Sequence, residues 1–177
     1  MENIYLFILI ALVLLAFADL IVGVSNDAVN FLNSAIGSKV LSFKTLMIIA
    51  SLGVFVGCVY SSGMMEVARK GIFNPGEFLF NEIMIIFMAV MITDILILDL
   101  FNSWGLPTST TVSIVFELLG ASVAMALIKI GVDNGSFTDL ATYINTSKAT
   151  QIILGILLSV FVAFSIGAIV QWVSRLL

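Results

Sequence analysis

The chain has 177 residues, 61% of them hydrophobic and only 10% charged, with a mean hydropathy of +1.22 and a net charge of −4. Soluble domains carry roughly 25% charged residues, so the composition points away from a globular enzyme or nucleic-acid binder and toward one integral membrane domain over residues 1–177. Histidine is absent and Cys58 is the single cysteine, which removes disulfides, thiol-rich metal sites and imidazole chemistry.

In chain order, Ile4 to Val22 is apolar almost throughout and supports a first crossing, which as a helix takes about 20 residues. Short alternating strands of the membrane-barrel kind are not seen, so helices are the spanning element. Glu2 stands where a signal peptide is basic, and the apolar run continues past a signal's length, so this stretch reads as a retained helix. Ser25 to Thr45 is too polar for lipid, yet it carries Ala28, Val29, Phe31, Leu32, Ala35 and Ile36. A short half-helix dipping into the protein interior reconciles the two facts.

Leu46 to Met65 is the second expected crossing, with Gly53 and Gly57 at the small-xxx-small spacing that admits a neighbouring helix. Glu66 to Glu82 reads as a loop holding Arg69, Lys70 and the turn signal Asn74-Pro75-Gly76. Ile83 to Phe101 and Val112 to Ile130 are the third and fourth crossings, separated by the polar interruption Asn102 to Thr111. Gly131 to Lys148 is a polar loop, and Ala149 to Leu177 holds the fifth crossing. The expected fold is an all-α integral membrane domain of about five transmembrane helices with re-entrant or broken segments. An odd number of crossings puts the termini on opposite faces. Lys39, Lys44 and Arg175 fall on one side and Arg69, Lys70 and Lys148 on the other, so the positive-inside rule sets no orientation.

Acidic residues inside apolar runs each cost at least ~3 kcal/mol on insertion scales, and so mark a site or a partner. Asp19, Asp27, Asp94, Asp99 and Glu117 qualify, and no basic residue lies at the same depth as a salt-bridge partner. A bound cation or a proton relieves such a cluster. Asn26, Asn30 and Asn33 stand at i, i+4 and i+7, on one face of a helix, with Asp27 beside Asn30 at i, i+3. Carboxylate, amide and carbonyl oxygens of this kind suit Na⁺. Helix capping and interhelical hydrogen bonding are the ordinary alternative, preferred for Asn33 and Ser34. The roles of Asp94 and Asp99 stay open. Glu117 lies two turns beyond Thr110 and could face the same cavity.

The second interruption has a different chemistry. Pro107 suits the first turn of a helix, and Thr108, Ser109, Thr110 and Thr111 follow it. A helix N-terminus crowded with hydroxyls and unbonded backbone N–H groups is a ready oxyanion site, and broken helices aimed at an anion are a transporter device. An ordinary Ser/Thr cap uses one hydroxyl; here four stand in a row.

Together the two interruptions resemble the signatures of the inorganic phosphate transporter (PiT) family. Gly23-Val24-Ser25-Asn26-Asp27-Ala28-Val29-Asn30 is similar to that family's Gly-Ala-Asn-Asp-Val-Ala-Asn, and Gly105-Leu106-Pro107-Thr108-Ser109-Thr110-Thr111 to its Gly-Leu-Pro-Val-Ser-Thr-Thr-His. The resemblance covers roughly residues 15–125. It implies symport of phosphate with Na⁺ or H⁺ by alternating access, in a multi-pass protein of the plasma or inner membrane. No enzymatic activity and no cofactor beyond the transported cation are implied.

By this resemblance Asn26 and Asp27 fall on the cation-site motif, with Asn30 beside them, and Asp19 matches an acidic residue that often precedes it. Ser109, Thr110 and Thr111, with Asn26, fall on the phosphate site. Family members have two inverted repeats, each with its own Asn-Asp motif. This chain holds one copy, so it reads as the N-terminal half of such a transporter, completed by a second half or by a partner copy. A sulfate or other oxyanion permease and a non-transporting membrane subunit are the rival readings. Nothing resembles a nucleophile–base pair.

Overall fold

A computed structural model describes residues 2–62, 66 and 71–176, with the side chains of residues 2 and 3 left aside. Among the described residues, five helices of two turns or more carry the fold: α1 (Glu2–Ser38), α2 (Phe43–Val59), α3 (Phe80–Trp104), α4 (Thr110–Val132) and α5 (Thr146–Leu176). Of these, α1, α3, α4 and α5 are long and apolar enough to cross a membrane, and α2 is a shorter apolar helix of 17 residues. The protein is an all-α, multi-pass membrane protein. The end of the expected second crossing, up to Met65, lies outside the described residues, as do Arg69 and Lys70.

The main correction concerns Ser25 to Thr45. No half-helix begins there: α1 runs unbroken for 37 residues, to Ser38. At about 1.5 Å per residue it is some 55 Å long, well beyond a ~30 Å hydrocarbon core. The polar side chains did not require a break. A helix satisfies its own backbone whatever its side chains, and here those side chains find partners: the Ser25 hydroxyl donates back to Ile21 O at 2.7 Å, and Asn26, Asp27 and Asn30 bond across to other segments. The chain turns after Ser38, with Lys39 at φ 54°. Ser42 then caps α2, its Oγ accepting from Thr45 N at 3.3 Å.

Between α2 and α3, the expected loop is partly built structure. A 3-10 turn spans Pro75–Glu77. Ile72, Phe73 and Phe78 are buried, and Phe73 pairs antiparallel with Ile144 in an isolated bridge. Backbone bonds from Asn74 N to Tyr143 O (2.8 Å) and from Asn145 N to Ile72 O (2.9 Å) stitch this segment to the α4–α5 connection. That connection is likewise shaped, with a 3-10 turn at Phe137–Asp139 and a single α-turn at Leu140–Tyr143. Apolar side chains from both connections join Ile86 and Val90 of α3 and Val115, Leu118 and Ala126 of α4 in the core.

Lys129 ends its stem over this plug. Its Nζ pairs with Glu82 at 3.0 Å, donates to Glu77 O at 2.8 Å, and lies 5.6 Å from the ring centroids of Phe78 and Tyr143. At the other end of the bundle, α1, α3 and α4 meet along one seam. Large apolar side chains along α1, α2 and α5 face outward. A Cβ added at Gly53 or Gly57 would meet no neighbour within 4 Å among the described residues, so no close helix contact at these glycines is seen there.

Candidate substrate site at the break between α3 and α4

The second interruption is a true break. Gly105 closes α3 in the left-handed conformation at φ 68°, where a side chain is strained and glycine is not. Gly105 N and Leu106 N cap α3 by donating to Asn102 O (3.1 Å) and Phe101 O (2.9 Å). The new helix does not start at Pro107 as the sequence predicts. It starts at Thr110, with Ser109 as N-cap accepting weakly from Val112 N at 3.4 Å.

Tertiary bonds explain the delay. Thr108 N donates to Asn26 Oδ1 at 3.0 Å, and Thr108 O accepts from Asn30 Nδ2 at 2.8 Å. Thr108 is thus held on both backbone groups by α1, and the helix begins beyond it.

Asn26 is the centre of the arrangement, with 2% of its surface exposed. Its Nδ2 donates to Asn102 Oδ1 at 2.8 Å, while Asn102 Nδ2 reaches Val22 O at 3.4 Å. One residue along, Asp27 Oδ2 accepts from Thr110 Oγ1 at 2.9 Å. At this level Gly23 of α1 faces Leu98 and Thr110: a Cβ there would lie 3.8 Å from each, in ordinary van der Waals contact. Beside the junction, Val29, Asn30, Asn33, Ser34 and Pro107 line an open polar groove of about 440 Å³.

The expected residues therefore divide. Asn26, Asp27, Asn30 and Thr110 are brought together with the break. Ser109 Oγ accepts the cap bond, which leaves its proton free, and Thr111 is exposed one residue into α4. Asn33 and Ser34, read as ordinary polar residues, face the groove. Asp19 is not with Asp27: it lies eight residues back along α1, roughly 12 Å by helical rise, and its carboxyl comes within hydrogen-bonding reach of Asp94 instead. Glu117 also turns toward Asp94 and accepts from Ser113 Oγ at 2.7 Å. Asp99 is exposed.

Asn102 is the residue that sequence reading passed over. It stands in the quoted interruption, but an amide in the last turn of a helix looks like a cap, and only the packing of α3 on α1 shows it bonded to Asn26.

This is a helical membrane protein whose polar junction lies where a broken helix meets an Asn-Asp pair. A model of the phosphate transporter family matches residues 23–177, and the chain belongs to that family. Similar proteins include three provisionally named phosphate permeases. The one from Thermococcus kodakarensis is 28% identical over 137 residues, covering 76% of this chain and 30% of that protein. The one from Pyrococcus furiosus is 30% identical over 118 residues, covering 66% and 29%. The one from Helicobacter pylori is 30% identical over 105 residues, covering 58% and 20%. The chain thus spans less than a third of the length of each. No solved structure matches it.

Proposed function

We propose that residues 1–177 form one inverted-repeat half of a cation-coupled inorganic phosphate symporter of the cell membrane. The observation that carries this reading is the Asn26 side chain tying α1 to the backbone at Thr108, which places the Asn-Asp pair against the start of α4. Phosphate binds at that helix end, where the first-turn amides and the Ser109, Thr110 and Thr111 hydroxyls provide donors beside the Asn26 amide. Na⁺ or H⁺ binds next to it at Asp27, with Asn26 and Asn30 supplying neutral oxygens.

A cation at Asp27 offsets the charge of the anion, so each ion strengthens the binding of the other. Thr110 links the two sites through Asp27: its one hydroxyl proton is donated to Asp27 Oδ2, and a cation or proton on Asp27 releases it to turn to the anion. The opposite hemisphere of donors comes from a second half or a second copy, packed on the outward apolar faces of the helices, because carriers of this kind bind substrate at the interface of their repeats. Alternating access moves the site across the barrier. The protein carries out transport and catalyses no covalent chemistry.

The test is uptake of labelled phosphate and labelled sulfate into proteoliposomes, with and without a Na⁺ or pH gradient. Gradient-driven phosphate uptake that sulfate does not match is the expected result. Equal uptake of both anions would make the protein a general oxyanion permease. No uptake of either, with the second half present, would make it a non-transporting subunit.

A further inference from the structure

We propose that Asp19, Asp94 and Glu117 form a proton-binding site, separate from the Asn26–Asp27 junction and built where α1, α3 and α4 meet. Its use in transport rests on the carrier reading above; the site itself rests on packing.

Each helix contributes one acid. Relative to the junction, Asp19 lies seven residues from Asn26, Asp94 eight from Asn102 and Glu117 seven from Thr110. At about 1.5 Å per residue the acids sit roughly 10–12 Å from the junction, all displaced the same way along the seam. Asp94 is the middle member, 2% exposed, and both other carboxyls are within hydrogen-bonding reach of it.

Asp94 Oδ1, Asp19 Oδ1 and Glu117 Oε2 are all shut off from solvent, and no protein donor reaches any of them. Among the described residues, the one donor at the cluster is Ser113 Oγ, on the other oxygen of Glu117. The side chains that come within hydrogen-bonding reach of Asp94 are the other two carboxyls. Two carboxylates repel at that distance, whereas a carboxylic acid and a carboxylate share a hydrogen bond. The arrangement is complete only when at least one proton sits among the three.

The charged groups on the packed elements do not change this. On α1 the next is Asp27, bonded to Thr110. On α3 they are Glu82, paired with Lys129, and Asp99, which is exposed. On α4, Lys129 is twelve residues past Glu117, about 18 Å by helical rise. On α2, Lys44 is exposed at the helix start. The Lys129–Glu82 pair is the one ion pair among the described residues. A metal ion is the other way to neutralise acids, but among the described residues no three acidic, His or Cys side chains are arranged to hold one. Pairwise contact through a central acid is the geometry of a shared proton.

The experiment is infrared difference spectroscopy of the full protein in lipid nanodiscs, following the C=O stretch of protonated carboxyls, with labelled-phosphate binding measured on the same samples. The wild type should show a protonated-carboxyl band at neutral pH that shifts in heavy water and disappears on alkaline titration. Asp94→Asn should abolish it, since an amide donates to both neighbours without a proton, and Glu117→Gln should reduce it. A wild type without the band, or a band unchanged in both variants, overturns the proposal. The wild-type spectrum decides even if a variant does not fold. A band with no phosphate binding would leave the proton site standing and sink the carrier reading; phosphate binding with no band would do the reverse.

Discussion

Around Asn26, the seam between α1, α3 and the start of α4 is closed by amides. Around Asp94, two helical turns away on the same helices, it is closed by acids. Both levels are polar and each is built around one buried side chain, Asn26 or Asp94, yet only the first is satisfied by the protein itself. An amide carries donors and an acceptor together, so Asn26 can take Thr108 N and give to Asn102 in one stroke. An ionised carboxylate only accepts, and a group of them cannot close a network without a donor from outside. The difference separates a level that positions backbone from a level that must hold something.

The largest expected effect is at the amide level. Asn26→Ala leaves Thr108 N and Asn102 without their partner in a buried place, at about 1–3 kcal/mol for each stranded group. The variant should unfold at lower temperature in detergent and lose phosphate binding. A wild-type melting profile would show that the junction is not what ties α1 to the break.

Asp27→Asn comes next and acts on function more than on fold. The amide oxygen can still accept from Thr110 Oγ1, so melting should stay close to wild type while cation-dependent phosphate uptake is lost. Uptake that kept its Na⁺ or H⁺ dependence would remove Asp27 from the cation site. Thr110→Val deletes the donor to Asp27, a loss of about 0.5–3 kcal/mol with the larger values for a charged acceptor. It should weaken phosphate binding, measured by labelled-phosphate titration, more than Ser109→Ala, whose loss is one long cap bond.

At the acid level the sign reverses. Asp94→Asn supplies a donor where none exists and should raise thermal stability at alkaline pH by about 1 kcal/mol; a drop there would mean the acids are not competing for a proton. The smallest effect is at Thr108, which engages α1 through backbone alone. Thr108→Val should stay within about 0.5 kcal/mol in stability and bind phosphate nearly as well as wild type. Were it the most damaging of the threonine changes, the site would have to extend to that side chain.

The sequence by itself determined that the chain is a bundle of membrane helices, since long apolar runs admit no other spanning form. It also determined that Asn26–Asp27 and Gly105 to Thr111 are where the polarity concentrates. Helix limits for α3 and α4 were legible within a few residues, because glycine, proline and hydroxyl residues interrupt the apolar pattern there.

Three things were decided only by tertiary structure. Whether α1 breaks at Ser25 depended on whether its polar side chains would find partners, and those partners lie some eighty residues away. The start of α4 moved from Pro107 to Thr110 because α1 claims both backbone groups of Thr108, which local capping preferences do not contain. The grouping of Asp19 with Asp94 and Glu117, rather than with Asp27, follows from α1 and α3 running parallel while α4 returns antiparallel between short connections. Periodicity along one helix says which residues share a face; only packing says which faces meet.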